Sequence, residues 1–216
     1  MKKTMSKILP DLLSEAEKNI LLKLEFFFEK KGLLSGGTAL MLQIPKRRSF
    51  DFDLFFPFDI PLNFLRKANE IFDSKLDLLI NNSDELSFIA ERKVKVSFIY
   101  FPFKRKYEPA NIFDFVRLSS YKDIASDKAY AIGRRPEYRD YVDLFFILKE
   151  GFTLKKIIDD AKEKFSAEFS EKLFLSQLIY FEDIKDFTIE FIKNPLSVEE
   201  IKSFFKNIVS GYKKLF

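Results

Sequence analysis

Residues 50–56 read FDFDLFF: two acids, Asp51 and Asp53, alternate with Phe50, Phe52 and Leu54 before two further rings, and this stretch constrains the fold more than any other. In a β-strand, positions i and i+2 share a face. The spacing predicts a strand over residues 51–56, stopped by Pro57. Asp51 and Asp53 then project together, while Phe50, Phe52 and Leu54 point to the other face. The apolar side needs a core to pack against, and a carboxylate in apolar surroundings is costly without a partner. The plainest alternative is an edge strand with a solvated polar face, and a bare Asp-x-Asp is compatible with it. Against that alternative, Asp is depleted in strands and the flanking run is strongly apolar.

Just upstream stands Ser35-Gly36-Gly37-Thr38, in a chain with only 6 glycines. Paired glycines are expensive to order, so their placement calls for a reason. Thr38 to Ile44 reads as a helix ended by Pro45. Glycines before a helix let the backbone approach a phosphate, and the helix N-terminus presents free N–H groups to an anion. Thr38 adds a hydroxyl. No Gly-Lys-[Ser/Thr] follows, so this is not a P-loop. A tight strand-to-helix turn is the simpler reading of the glycines alone.

What the chain lacks narrows the chemistry. With no Cys and no His, disulfides, thiolate nucleophiles, Cys/His zinc sites and histidine bases are all excluded. Catalysis is left to carboxylates, Lys, Arg, Ser, Thr or Tyr, or to a metal held by oxygen. Two carboxylates on one strand face are hard ligands suited to Mg²⁺. Two such ions about 3.5–4 Å apart clamp the attacking and leaving oxygens in nucleotidyl transfer.

At 216 residues the chain is long enough for one substantial core with or without a second, smaller lobe, and 47% hydrophobic content makes it a folded protein. Its 28 Phe are expected to be core filler. The net charge of +4 permits an anionic partner without demanding one, because basic and acidic residues are interspersed. No apolar run reaches the roughly 18 residues of a membrane span. The start, MKKTMSKILPDLLSEAEK, turns polar too soon for a signal peptide, which points to a cytoplasmic protein.

The pattern along the chain predicts an α+β fold: a mixed sheet flanked by helices over residues 1–117, then a helical region over 118–216. Residues 11–31 carry helical spacing and end at Gly32. Residues 61–80 read as a helix with Pro61 in its first turn, and 85–101 as two strands. Residues 119–150 read as two helices broken near Gly133 and restarted at Pro136, with Gly151 capping the second. Ser197 and Glu200 form a capping box near the end of a mostly helical remainder.

Taken jointly, SGGTALML…KRRSFDFDLFF resembles the nucleotidyltransferase signature, and it is closer still to the AbiEii/AbiGii toxin-like nucleotidyltransferases, whose motif runs roughly GGTALxL…HRxSxDxDLF. Gly36, Gly37, Thr38, Ala39, Leu40, Leu42, Arg47, Ser49, Asp51, Asp53, Leu54 and Phe55 match, and the family's usual His falls on Lys46. A second similarity covers Lys122-Asp123-Ile124 with Lys128, and Arg139-Asp140 with Asp143-Leu144, against the family's KDIxxxK and (R/K)DxxDL motifs. The likeness spans about residues 33–148. Read as isolated helix faces, those charges would be ordinary solvated ion pairs.

The resemblance implies an enzyme that moves an NMP group from an NTP to an acceptor hydroxyl, with Mg²⁺ on Asp51 and Asp53. It implies an acceptor that is RNA, such as a tRNA 3′ end, or protein, and a setting as the toxin of a toxin–antitoxin or phage-defence pair, with an antitoxin as partner. It assigns Gly36, Gly37, Thr38, Arg47, Ser49, Lys122, Asp123, Arg139 and Asp143 to the nucleotide, and Lys128 and Asp140 to catalysis beside the two aspartates. The helical region would complete the site. Many nucleotidyltransferases carry a third carboxylate on a later strand, where this chain offers Ser97. Asp140 is the candidate to supply that acid. The missing acid motivates a second reading, a decayed nucleotide- or RNA-binding module on the same scaffold. A third is an interaction protein whose Phe-rich helices bind a partner.

Overall fold

The computed structural model describes residues 8–74, 76–91 and 93–214. Residues 1–7 of the segment read against a signal peptide lie outside the described residues. The chain divides into two compact units: residues 1–43, 49–104 and 108–120, and residues 44–48, 105–107 and 121–216. Two short excursions, 44–48 and 105–107, therefore belong with the helices although they interrupt the α/β half in sequence.

The first unit contains α1 (Glu15–Lys23), α2 (Glu25–Glu29), β1 (Leu33–Ser35), α3 (Gly36–Gln43), β2 (Phe52–Phe56), α4 (Asn63–Ile71), β3 (Leu76–Asn81), β4 (Glu85–Ala90), β5 (Val94–Tyr100), β6 (Ala110–Ile112) and β7 (Val116–Leu118). Among the described residues these strands form one 7-stranded sheet in the order β3-β4-β5-β2-β1-β7-β6. β2 is central, antiparallel to β1 and parallel to β5. One face of the sheet is the core. Phe52, Leu54, Phe56, Val96, Phe98, Leu86 and Phe88 are buried on it. Phe27 of α2 meets Phe98 with ring centroids 4.3 Å apart, and Phe64 of α4 meets Phe56 at 5.3 Å and Phe98 at 5.9 Å. The phenylalanines are the filler that holds these helices to the sheet, each contributing on the order of 2–3 kcal/mol of burial.

Two sequence expectations change here. The helix expected over 11–31 is a 3₁₀ turn at Pro10–Leu12 followed by α1 and α2. The Ser14–Glu17 capping box sets the start of α1, and a break at Leu24 re-aims the chain so that adjacent Phe27 and Phe28 are both buried. The helix expected over 61–80 stops at Ile71. Asp73 and Ser74 take positive φ (49° and 57°), and Leu76–Asn81 then pairs antiparallel with β4. Clustered apolar residues fit either period, and only pairing to a neighbouring strand decides. β6 and β7 are too short to leave a pattern.

The second unit contains α5 (Tyr121–Ile132), α6 (Tyr138–Lys149), α7 (Leu154–Phe165), α8 (Glu171–Gln177) and α9 (Val198–Lys213). Gly151 takes φ +90° just beyond α6, as a residue terminating a helix does. The Ser197–Glu200 capping box is present at the start of α9. Tyr141 is fully buried against Phe181 and donates its hydroxyl to the Gln177 carbonyl at 3.0 Å. Residues 44–48 join this unit by pairing with 190–192: Arg48 N–H donates to the Glu190 carbonyl (2.8 Å) and Ile192 N–H to that of Lys46 (2.9 Å).

Candidate active site

In the sheet unit, Ser35 of β1 stands opposite Asp53 of β2, and Asp53 stands opposite Ser97 of β5. Ser97 in turn faces Ser87 of β4. A polar row thus crosses the sheet on the face away from the phenylalanine core, centred on Asp53. Ser35 and Ser97 are each 1% exposed, and both hydroxyls are buried without a hydrogen-bond partner.

The glycine pair finds its reason here. Gly36 takes φ +66°, a left-handed conformation that side chains resist. A Cβ at Gly36 would lie 2.6 Å from Asp53 Oδ2. The Asp53 carboxylate is therefore seated directly against the backbone that opens α3, and no other residue leaves room for it. Gly36 and Gly37 are the first two residues of α3, where backbone N–H groups lack intrahelical acceptors.

Thr38 plays a different part from the ligand donor that its position suggests. It is 1% exposed, and its hydroxyl donates to the Asp51 carbonyl at 2.5 Å while lying 3.1 Å from the Ser49 hydroxyl. Thr38 and Ser49 tie the segment before β2 to the first turn of α3, and so fix where Asp51 sits. The Asp51 side chain is half-buried and makes no hydrogen bond or ion pair among the described residues. β2 begins at Phe52, so Asp51 stands just ahead of the strand rather than on its face, and Phe50, expected toward the core, is 48% exposed because the pairing starts only at Phe52; Asp51 and Asp53 still supply hard oxygen donors two residues apart. They fit a divalent cation whose remaining positions come from water and phosphate. No cluster of three acidic residues exists among the described residues to close the cation off.

The helical unit gathers the other motif residues into two ionic centres. In the first, Arg47 forks onto Asp143 with both contacts at 2.7 Å, and Lys128 reaches Asp143 at 2.9 Å and also contacts Asp140. All four side chains are at most 9% exposed. Burial pushes the Asp143 carboxyl up, but the charges of Arg47 and Lys128 outweigh it and hold the carboxyl below its usual range. Burial lowers the Lys128 ammonium, and Asp140 and Asp143 more than restore it. Asp140 Oδ2 is buried and unpartnered.

The second centre was invisible in the sequence. Lys164 of α7 reaches Asp123 at 3.0 Å and Asp127 at 2.8 Å, and Arg105 pairs with Asp127. Asp123, expected at the nucleotide, accepts from the backbone N–H groups of Lys106 (3.0 Å) and Tyr107 (2.9 Å). Both of its oxygens are engaged within the unit, where they hold the 105–107 excursion in place. Lys122 lies over the rings of Tyr107 (5.2 Å) and Tyr121 (5.9 Å). Arg139 is exposed and pairs with Glu137. Lys164 is some 40 residues from its partners, and no local spacing links them.

Residues 20–213 match the model of the family described as nucleotidyl transferase AbiEii toxin, type IV TA system. An uncharacterized protein of Aquifex aeolicus (strain VF5) is 33% identical over 186 residues, covering 83% of this chain and 86% of the relative. Among solved structures, a putative nucleotidyltransferase from H. pylori superposes with TM-score 0.52 at 18% identity, covering 94% of this chain and 99% of that one. The nucleotidyltransferase toxin MenT4 of Mycobacterium tuberculosis H37Rv superposes with TM-score 0.52 at 10% identity, covering 89% and 81%. These two likenesses show a shared fold. The family match and the Aquifex relative show more: this chain belongs to the AbiEii nucleotidyl transferase toxin family and is a nucleotidyltransferase.

Proposed function

We propose that this nucleotidyltransferase takes an NTP and Mg²⁺ and moves the NMP group to an acceptor hydroxyl on RNA or protein. One observation carries the reading: an unpaired, half-buried Asp51 carboxylate beside an Asp53 carboxylate seated against Gly36 at the start of α3.

The roles follow from chemistry. The opening N–H groups of α3 receive phosphate oxygens. Asp51 and Asp53 hold Mg²⁺, which when bound neutralises charge on the phosphates. Thr38 and Ser49 keep Asp51 in register. The acceptor oxygen bonds to the α-phosphorus as the bond from that phosphorus to the α,β-bridging oxygen breaks. The electron pair leaves with pyrophosphate, and the hydroxyl proton passes to solvent water. Positioning and electrostatics supply most of the rate in such transfers. Participation of Arg47 is supported by its match to the first family motif, and that of Lys122, Lys128, Arg139, Asp140 and Asp143 by their match to the later ones.

The setting is proposed to be the cytoplasm, with an antitoxin as the genetic partner that the family's type IV systems imply. No helix among the described residues is long and apolar enough to cross a membrane. The interaction-protein reading keeps one observation, the exposed Leu173, Ile179, Tyr180 and Phe187 of the helical unit, although Phe145, Phe152, Phe165, Phe169, Phe174, Phe181 and Phe205 are buried. The decayed-module reading keeps one observation, the neutral Ser97 directly opposite Asp53.

The test is incubation with each labelled NTP, Mg²⁺ and total RNA, wild type beside the Asp51→Asn/Asp53→Asn variant. Label on RNA or protein only with wild type is the expected result. Transfer retained in the variant refutes the assigned role of the aspartates. Mg²⁺-dependent NTP binding without transfer in any condition selects the decayed module.

A further inference from the structure

The two edges of the sheet are finished differently. Among the described residues, β3 and β6 are its terminal strands. β6 spans only Ala110–Ile112 and follows Pro109, which has no N–H to offer. A short strand beside a proline is a blunted edge. β3 runs for 6 residues, Leu76–Asn81, and carries no Lys, Arg or Pro within it. Every residue after Leu76 is exposed. Leu78, Leu79 and Ile80 are 49%, 50% and 38% exposed.

Aliphatic side chains lie on both faces of this edge. Across β4, Leu76 stands opposite Ala90, Leu78 opposite Phe88 and Asn81 opposite Leu86, on the face of the buried phenylalanines. Asp77 stands opposite Ile89 and Ile80 opposite Ser87, on the other face. A register shift between Leu78 and Ile80 produces this arrangement, and Leu79 is the added residue that no β4 residue faces. A strand that merely ended a sheet in water would keep large aliphatic groups off at least one face. Here they flank, on both faces, a row of backbone N–H and C=O groups that no described strand pairs. Only another β-strand supplies partners to such a row and covers both faces at once.

The two edges and the charge pattern say which strand. Pairing β3 with β6 of another copy would be head-to-tail and would grow without closing. The short, proline-led β6 is unsuited to it. Pairing β3 with β3 of a second copy, antiparallel about a twofold axis, closes at two chains. One register keeps the faces matched: Asp77 opposite Ile80 of the second copy and Leu76 opposite its Asn81, with Leu78 and Leu79 meeting at the axis. Asp77 is the only charge in the strand, and in this register no carboxylate meets another. The edge is complementary to itself.

We propose that β3 is a dimerisation edge, through which two copies of this chain join their sheets by antiparallel β3 strands and bury Leu78, Leu79 and Ile80 of both.

The test uses the full chain as wild type, Leu79→Lys, Ile80→Asp and Ile80→Lys. Association is measured by sedimentation equilibrium over a range of concentrations, and folding by far-UV circular dichroism. Wild type is expected at twice the 25.6 kDa of one chain. Leu79→Lys spares the β4 pairing, places a charge on the edge, and is expected to weaken the dimer about tenfold or more with the fold retained. The Ile80 variants read the register. Ile80→Asp sets a carboxylate against Asp77 and is expected to give monomer, whereas Ile80→Lys sets an ammonium there and is expected to keep the dimer. A merely sticky aliphatic patch would lose association equally in both, and that result overturns the proposal. So does a dimer retained in Ile80→Asp, or one undiminished in Leu79→Lys. A wild type that grows past the dimer overturns it, as does one that stays monomeric at its highest soluble concentration, which leaves the edge to a strand from another protein. If Leu79→Lys fails to fold, the two Ile80 variants decide.

Discussion

Acidic residues are handled in opposite ways by the two units. In the sheet unit Asp51 is half-buried and has no side-chain partner among the described residues. In the helical unit Asp143 is 3% exposed and saturated by Arg47 and Lys128, and Asp127 by Arg105 and Lys164. A lone carboxylate at the edge of a core is tolerable only near water or a cation, and it is available for chemistry. A paired one in the interior is bound into structure, because removing either partner leaves an uncompensated charge. The contrast separates residues that a sequence motif groups together. Arg47 and Asp51 sit in the same stretch of chain, yet Arg47 is locked into a buried ion pair while Asp51 stays open.

The sharpest way to break that contrast is to remove the open acid. Asp51→Asn is expected to lower transfer by about 10³-fold or more while leaving the melting midpoint within experimental scatter. A large drop in midpoint would place Asp51 among the structural acids.

Next in size is the paired acid. Asp143→Ala leaves Arg47 and Lys128 buried beside each other and is expected to destabilise by roughly 3–5 kcal/mol in urea titration. Adding Arg47→Met to that variant should recover part of the loss. A simple sum of the two single effects would show that the pair does not act as a unit.

Gly36→Ala tests the seat of Asp53. Positive φ and the 2.6 Å approach to Oδ2 are expected to cost about 1–2 kcal/mol in stability. A larger relative loss in transfer should accompany it, measured as kcat.

The acid limb of stability sharpens the comparison further. Burial pushes the Asp127 and Asp143 carboxyls up, but neighbouring cations hold both below their usual range. Their contribution is complete above the unfolded value of about 3.9 and is lost as pH falls through the lower folded values. Melting midpoints should be level from neutral pH down to about 5 and fall below about 4. Asp127→Asn should flatten that fall.

Smallest of all is Ser35→Ala. Its buried hydroxyl has no partner, so removing it is expected to change stability by less than about 0.5 kcal/mol, or to raise it slightly. A marked loss would mean the hydroxyl is satisfied in solution.

Much of the site was legible because its signals are local. Period-two alternation marked β2, and the glycine pair with Pro45 marked α3. The same alternation runs through Val94-Lys95-Val96-Ser97-Phe98 and marked β5. What was not legible depends on distant partners. The apolar residues of β3 fit a helix until pairing with β4 decides. Thr38 reads as a ligand donor until the Asp51 carbonyl is found beneath it. Asp123 reads as a nucleotide contact until Lys164, Lys106 and Tyr107 are found around it.

By itself the sequence determined the chemistry on offer: no thiol or imidazole, two carboxylates two residues apart, and a glycine pair at the start of a helix. Those follow from composition and from geometry within a few residues. The tertiary structure decided which charges stay open and which are neutralised. That choice depends on what stands across a strand or helix, and a local pattern carries no record of it.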